Sequence, residues 1–242
     1  MEAQAGTVHQ PFLYNATEEQ LQEFLLLGLF VAGKTAVVQQ HKLHWFLELL
    51  KNRVFRSEDY NPFQRLGLME ENHLLQLLTY CKVGQYTRLV KALKWLGHKQ
   101  WELPENQFVY NITRDELCEC PGLGMKTASF FLIYTREYQV HACLDTHILK
   151  WLGSIGHEGV PSASPTSKKT YEHWEETFLK EADHMGKDPT ELDFQIWKHY
   201  STYGNKEEVP VFLSPEQAGN QETRSSSLVS TLEETVPASY PS

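Results

Sequence analysis

Apolar residues return every three or four positions along most of this chain, and that regularity restricts it to helices. "ATEEQLQEFLLLGLFVAGKTAVVQQHKLHWFLELLK", "EENHLLQLLTYC", "YTRLVKALKWLG" and "SKKTYEHWEETFLKEADHM" all carry it, as in the series Tyr171, Trp174, Phe178. Chemical start signals agree with the period. Thr113 and Glu116 in "TRDE" form a capping box, and "DPTE" places Asp188 at a cap with Pro189 in the first turn. Alternating strand patterns are nearly missing, with "YQVHACLD" the only short candidate. The fold class is therefore all-α.

Composition sets the outer limits. With 41% hydrophobic and 12% aromatic residues in 242, the chain has ample material for a buried core. Its longest apolar run, Phe24 to Ala32, falls well short of the ~20 residues that cross a bilayer, so no membrane contact is expected. The opening "MEAQAGTVHQPF" lacks a basic flank followed by an apolar stretch, which predicts an intracellular protein. Cys81, Cys118, Cys120 and Cys143 contain no C-x-x-C pair, so neither a zinc ribbon nor an iron–sulfur cluster is expected. His41, His44, His147 and His199 show no metal-ligand spacing with a carboxylate, and no catalytic metal is expected. For His147, directly after "DT", the reading is capping or packing rather than acid–base work. Residues 206–242 hold six Glu against Lys206 and Arg224, are rich in Ser, Pro and Thr, and read as a disordered acidic tail. Part of the net charge of −9 lies there, but the remaining body is still acidic, so contact with a nucleic acid would need a local face.

One stretch, "GLFVAGKT" from Gly28 to Thr35, matches the phosphate-loop pattern G-x-x-x-x-G-K-[ST]. Such a loop needs a strand before it and a helix after it inside an α/β sheet. Here the preceding "EEQLQEFLLL" is helical and the variable positions are Leu29, Phe30, Val31 and Ala32, which are core residues. The stretch reads as a buried helix whose Lys34 reaches a surface or cleft.

The chemistry is better signalled in "ITRDELCECPGLGMKTASFFLIYTREYQVHACLDTHILKWL". Residues 113–119 form a short helix, Pro121 to Gly124 break it, and "MKTASFFLIYTR" starts another, giving a helix-hairpin-helix. Gly122 and Gly124 let the turn approach another molecule, and the first N–H groups of the second helix have no internal partner. The arrangement suits a DNA phosphate, with a bridging monovalent cation as a candidate ligand, although a plain αα corner uses the same residues. Lys126 opens the second helix, and Asp145 is a natural N-cap for "THILKWLG"; an extended return brings the two to one end of the structure.

"CPGLGMKTA" followed by "CLDTHI" resembles the helix-hairpin-helix DNA glycosylases, and "PTSKKTYEHWEETFL" with "ELDFQIWKHYSTYGNK" is similar to the compact type-2 8-oxoguanine glycosylase/lyases. The resemblance runs from about residue 20 to 206. It implies two helical subdomains with the active site in the cleft between them: 14–29 with 138–205, and 30–137 ending in the hairpin, after an N-terminal arm at 1–13. It implies that Lys126 attacks the sugar and forms a Schiff base, that Asp145 assists, and that Tyr86 and Trp197 sandwich the flipped base while Asp193 meets its edge and Lys34 faces the same pocket. Gly122, Gly124, Thr127 and Arg88 become candidate DNA-binding residues, with Lys82, Arg136, Lys168 and Lys169 as further basic lining. The implied substrate is double-stranded DNA with a damaged base, handled by a monomer without cofactor. Oxidised pyrimidines or modified thymine stay open as targets, as does a non-enzymatic DNA-binding module.

Overall fold

The computed structural model describes residues 12–34, 36–52, 60–102 and 108–203. Within them run eleven helices: α1 Glu18–Val31, α2 Ala36–Asn52, α3 Pro62–Leu68, α4 Glu71–Tyr80, α5 Tyr86–Glu102, α6 Phe108–Asn111, α7 Arg114–Glu119, α8 Met125–Thr135, α9 Thr146–Ser154, α10 Lys168–His184 and α11 Pro189–Tyr203. No strand forms among the described residues, and residues 139–145 are an extended connection. The acidic tail and most of the N-terminal arm lie outside the described residues.

Local chemistry sets the helix ends. Thr17 pairs with Gln20, and Thr113 with Glu116, in reciprocal capping boxes. Asp188 accepts from the N–H groups of Thr190 at 2.9 Å and Glu191 at 3.0 Å. Such a cap is worth about 0.5–2 kcal/mol.

Two apolar cores form, one on each side of α8. The first collects α1 (Leu21, Leu25, Leu26, Leu29, Phe30) with the inner faces of α2 to α7, and reaches Ala128, Phe131 and Leu132 of α8. The second joins α9, α10 and α11 through Ile148, Trp151, Tyr171, Phe178, Leu192 and Ile196, with Met125 of α8 packed against it. The sequence-based division sets residues 14–29 with the second subdomain; the buried residues of α1 pack in the first core, and its Phe24 also meets the aromatic cluster. The apolar residues of α1 cover too much of its circumference to be buried by one neighbour, and the bundle of α2 to α6 supplies the surrounding wall. Between the cores lies a small aromatic cluster in which Phe12, Phe24, Phe130 and Phe194 pack on Ile133, Tyr134 and Cys143.

A buried ion pair fastens the hairpin to the second core. Arg114 at the start of α7 bonds Glu175 of α10, and the same Glu175 oxygen accepts from the Ala142 N–H at 2.9 Å. Arg114 also reaches Ser129 Oγ at 3.2 Å. Their side chains are only 13% and 8% exposed, so bulk water cannot replace either partner.

Candidate active site

The hairpin is built by local rules. α7 ends at Glu119 with Cys120 as its C-cap, Leu123 is buried and donates its N–H to the Cys120 carbonyl at 3.0 Å, and Gly122 stands at φ +80. A side chain at Gly122 would be strained by that torsion and would also run into Arg88. Gly124 is the N-cap of α8 and offers no side-chain acceptor, so the first N–H groups of an eleven-residue helix are left for an outside anion.

From that start, Lys126, Phe130 and Tyr134 follow at four-residue steps and share one face of α8. That face forms one wall of a cleft of about 710 Å3. The other walls come from Gly28, Val31, Ala32, Gly33 and Lys34 at the end of α1, from Cys143 and Asp145, and from Asp193, Phe194 and Trp197 of α11. Lys34, Lys126, Thr127, Asp145, Asp193 and Trp197 thus meet in one cavity.

Asp145 is held rigidly. Its Oδ1 accepts from the N–H groups of His147 at 2.8 Å and Ile148 at 2.9 Å, capping α9 and fixing the carboxylate before any ligand arrives. Asp193 differs: it is 5% exposed, and its Oδ2 accepts from the Cys143 N–H at 3.1 Å. Burial, then the charge of Asp145, hold the Asp193 carboxyl well above the usual carboxylate range, against the opposing effect of that hydrogen bond. The same burial, with Asp193 and Asp145 beside it, pushes the Cys143 thiol up and keeps it unreactive.

A carboxyl raised in the folded state contributes stability fully below its unfolded pKa of about 3.9, and loses it as pH climbs through the higher folded value. Asp193→Asn keeps an acceptor for Cys143 and removes the titration. Denaturant midpoints near pH 4 and near pH 7 are expected to differ less in this variant than in the wild type. An unchanged difference would show that Asp193 does not titrate high.

Aromatic surface completes the cleft. Phe194 and Trp197 stack at 18° with centroids 6.3 Å apart, and Trp197 is 46% exposed, which leaves a ring face free to receive a planar ligand. Phe130 lies 4.9 Å from Tyr134 and 5.0 Å from Phe24.

Several sequence expectations change. Tyr86 is not among the residues lining the cleft; it is the first residue of α5, half-buried against the first core, while Trp197 lines the cleft. Arg88 is not an open phosphate ligand, because its guanidinium is spent on the carbonyls of Gly122 and Leu29. Thr127 lies in the cleft, with its methyl against Gly28, where an added Cβ would come within 2.9 Å. Lys34 lines the cleft with its amine bonded to the Val83 carbonyl, and burial, then Arg88 and Lys42, lower its pKa. Arg136 is largely buried and bonds the Val109 carbonyl, while Lys168 pairs with Asp115 at 2.8 Å. Arg136 is thereby held away from a DNA face, whereas Lys168 stays exposed in a surface pair. His147 stacks on Tyr200 at 9°, a packing role.

"GLFVAGKT" is the end of a helix, not the start of one. α1 stops at Val31, Gly33 turns the chain at φ +70, and the Lys34 N–H bonds the Val31 carbonyl at 2.7 Å. A helix C-terminus presents carbonyl oxygens, which repel phosphate.

Sequence reasoning passed over Phe130, Tyr134, Cys143 and Phe194. The four-residue spacing from Lys126 marks Phe130 and Tyr134 in retrospect, and Phe194 follows Asp193 directly.

No family model matches this chain. It is 26% identical over 140 residues to an 8-oxoguanine DNA glycosylase/AP lyase of Saccharolobus solfataricus, covering 55% of this chain and 67% of that one. Among solved structures it is similar to the 8-oxoguanine DNA glycosylase of Methanocaldococcus jannaschii, with a TM-score of 0.52 and 21% identity over 79% of this chain and 81% of that one. The same archaeal glycosylase/lyase bound to a 15mer DNA containing 8-oxoguanine gives a TM-score of 0.54, at 21% identity, over 81% of this chain and 86% of that one.

Proposed function

We propose that this chain, which has the fold of the compact helix-hairpin-helix 8-oxoguanine glycosylases, is a DNA glycosylase with AP lyase activity that excises 8-oxoguanine from duplex DNA. The observation that carries the reading is the meeting of Lys126 and Asp145 in one cleft that begins at the bare N-terminus of α8.

The roles follow from position. The hairpin turn and the first N–H groups of α8 hold a backbone phosphate, which sets the register of the strand. The damaged nucleotide leaves the duplex and enters the cleft, where Trp197 and Phe194 offer a stacking face and Asp193 a hydrogen-bonding group at the buried end. The unprotonated Lys126 amine attacks C1′; the C1′–N9 bond breaks and its electron pair leaves with the base, which takes up a proton. Positive charge that builds on the sugar is stabilised by the Asp145 carboxylate. Loss of the amine proton and ring opening give a Schiff base, and removal of a C2′ proton then expels the 3′ phosphate. Such a protein works as a monomer inside the cell, where the DNA is.

Asp145→Asn separates charge from structure. Asn caps a helix about as well as Asp, so the melting temperature should stay within the change expected for about 0.5 kcal/mol. Without the charge, single-turnover excision is expected to fall about 10²- to 10⁴-fold. Wild-type rates in the Asn variant would remove Asp145 from the chemistry.

The reading is tested with a panel of duplexes carrying 8-oxoguanine, an oxidised pyrimidine, uracil or an abasic site, each mixed with protein and borohydride. A trapped adduct with 8-oxoguanine in preference to the pyrimidines is the expected result. Absence of any adduct would overturn it.

A further inference from the structure

We propose that Arg88 and Gln85 are positioning residues that couple the phosphate-binding hairpin to the α1 rim of the cleft, so that engaging DNA at Gly122–Gly124 sets the placement of residues 29–34. This rests on the glycosylase reading and adds to it a route by which DNA contact reaches the base pocket.

One guanidinium makes three connections. Arg88 Nη1 donates to the Gly122 carbonyl at 3.1 Å, Nη2 to the Leu29 carbonyl at 2.7 Å, and Nε to Gln85 Oε1 at 2.6 Å. Gln85 passes the connection on, with its Nε2 donating to the Ala32 carbonyl at 3.2 Å. The hairpin turn is thus tied, through two side chains, to both ends of the last turn of α1. Two further bonds hold the loop before α5: Lys34, just past α1, donates to the Val83 carbonyl, and Lys42 of α2 donates to the Lys82 carbonyl at 2.7 Å.

The loop that carries these ties is unusual in its backbone. Lys82, Gly84 and Gln85 stand at φ 51, 72 and 53. Two of them are not glycine, and each such torsion costs on the order of 1–3 kcal/mol unless its surroundings hold it. Here the bonds to Lys34, Lys42, Arg88 and Ala32 hold it. What the loop holds in return is the wall of Val31, Ala32, Gly33 and Lys34 that faces Lys126 across the cleft.

The fork geometry is essential. A planar guanidinium bridges three acceptors in fixed directions, whereas a lysine ammonium is a point charge that cannot span them. Gly122 belongs to the same device: its missing side chain is what lets the Arg88 stem lie against the turn.

Arg88→Lys and Gln85→Ala are the test variants, read by amide hydrogen exchange with and without a duplex bearing a stable abasic analogue. In the wild type, DNA should slow exchange both in 120–128 and in 27–34. In Arg88→Lys the hairpin should stay protected while the DNA-dependent slowing of 27–34 drops by about 5- to 150-fold, the usual range of coupling between sites. Gln85→Ala, an exposed position less demanding of the fold, should lose protection at 31–34 with the hairpin unchanged. Single-turnover excision at saturating Arg88→Lys enzyme should fall by up to about 100-fold, as expected when a site is misplaced by about 1 Å, with little change in Kd. Protection of 27–34 equal to wild type in both variants would overturn the proposal. So would a loss in Arg88→Lys that lies wholly in Kd. If DNA protects neither segment of the wild type, the glycosylase reading falls; if the hairpin is protected and the variants behave as wild type, only the coupling does.

Discussion

Lys126→Gln is expected to lower base excision and strand cleavage by at least about 10³-fold and to abolish borohydride trapping, because a side-chain amide cannot form the covalent bond to C1′. The substitution is a clean one in this fold. Lys126 is half-buried on the cleft side of α8, while the packing of that helix rests on Ala128, Phe131 and Leu132. Gln is nearly as good a helix former as Lys, so the melting temperature should move by no more than about 0.5 kcal/mol implies. Binding to an abasic-analogue duplex should survive. The measurement is single-turnover cleavage of an 8-oxoguanine duplex beside a trapping gel. Undiminished trapping by the variant would place the nucleophile elsewhere and return Lys126 to an ordinary surface charge.

Glu175→Ala is expected to destabilise the protein by about 3–5 kcal/mol, since it leaves Arg114 as an uncompensated buried charge. The Ala142 N–H loses its acceptor in the same step, at a buried position. For a chain of this size that corresponds to a drop of very roughly 6–20 °C in melting temperature. Glu175→Gln, which can still accept from Ala142, should fall between the two. Lys168→Ala is the control: its partner Asp115 is exposed, and a surface pair of this kind contributes less than about 1 kcal/mol. Thermal melts of the three variants check the ordering. A Glu175→Ala loss no larger than that of Lys168→Ala would show that the hairpin does not depend on this tie.

The parts of this structure that are local were legible in the sequence. Helix period, the Thr113 and Asp188 caps and the break at Pro121 to Gly124 are short-range effects, and each stands where the residues place it. Lys126 and Asp145 could be brought together because a single helix and an extended return separate them. Contacts between distant elements were not legible. Nothing near Tyr86 says that its ring packs on the bundle core, and the spacing of Arg88 looks like that of any exposed helix cation. Only the tertiary approach of the Gly122 turn and the end of α1, 34 residues later and 59 earlier, turns it inward. The partner of α1 is not legible for the same reason: an all-round apolar helix announces burial without naming its neighbour.

Gly33 leaves an opening at the mouth of the cleft. Its φ of +70 excludes most side chains on torsion alone, yet a Cβ built there meets nothing within 4 Å. Asparagine, which visits the left-handed region more readily than other L residues, can enter without displacing a neighbour. Gly33→Asn would set an amide in the wall of the cleft at a cost confined to the backbone. The position is a place where the shape of the cleft can be changed without disturbing Lys126 or Asp145.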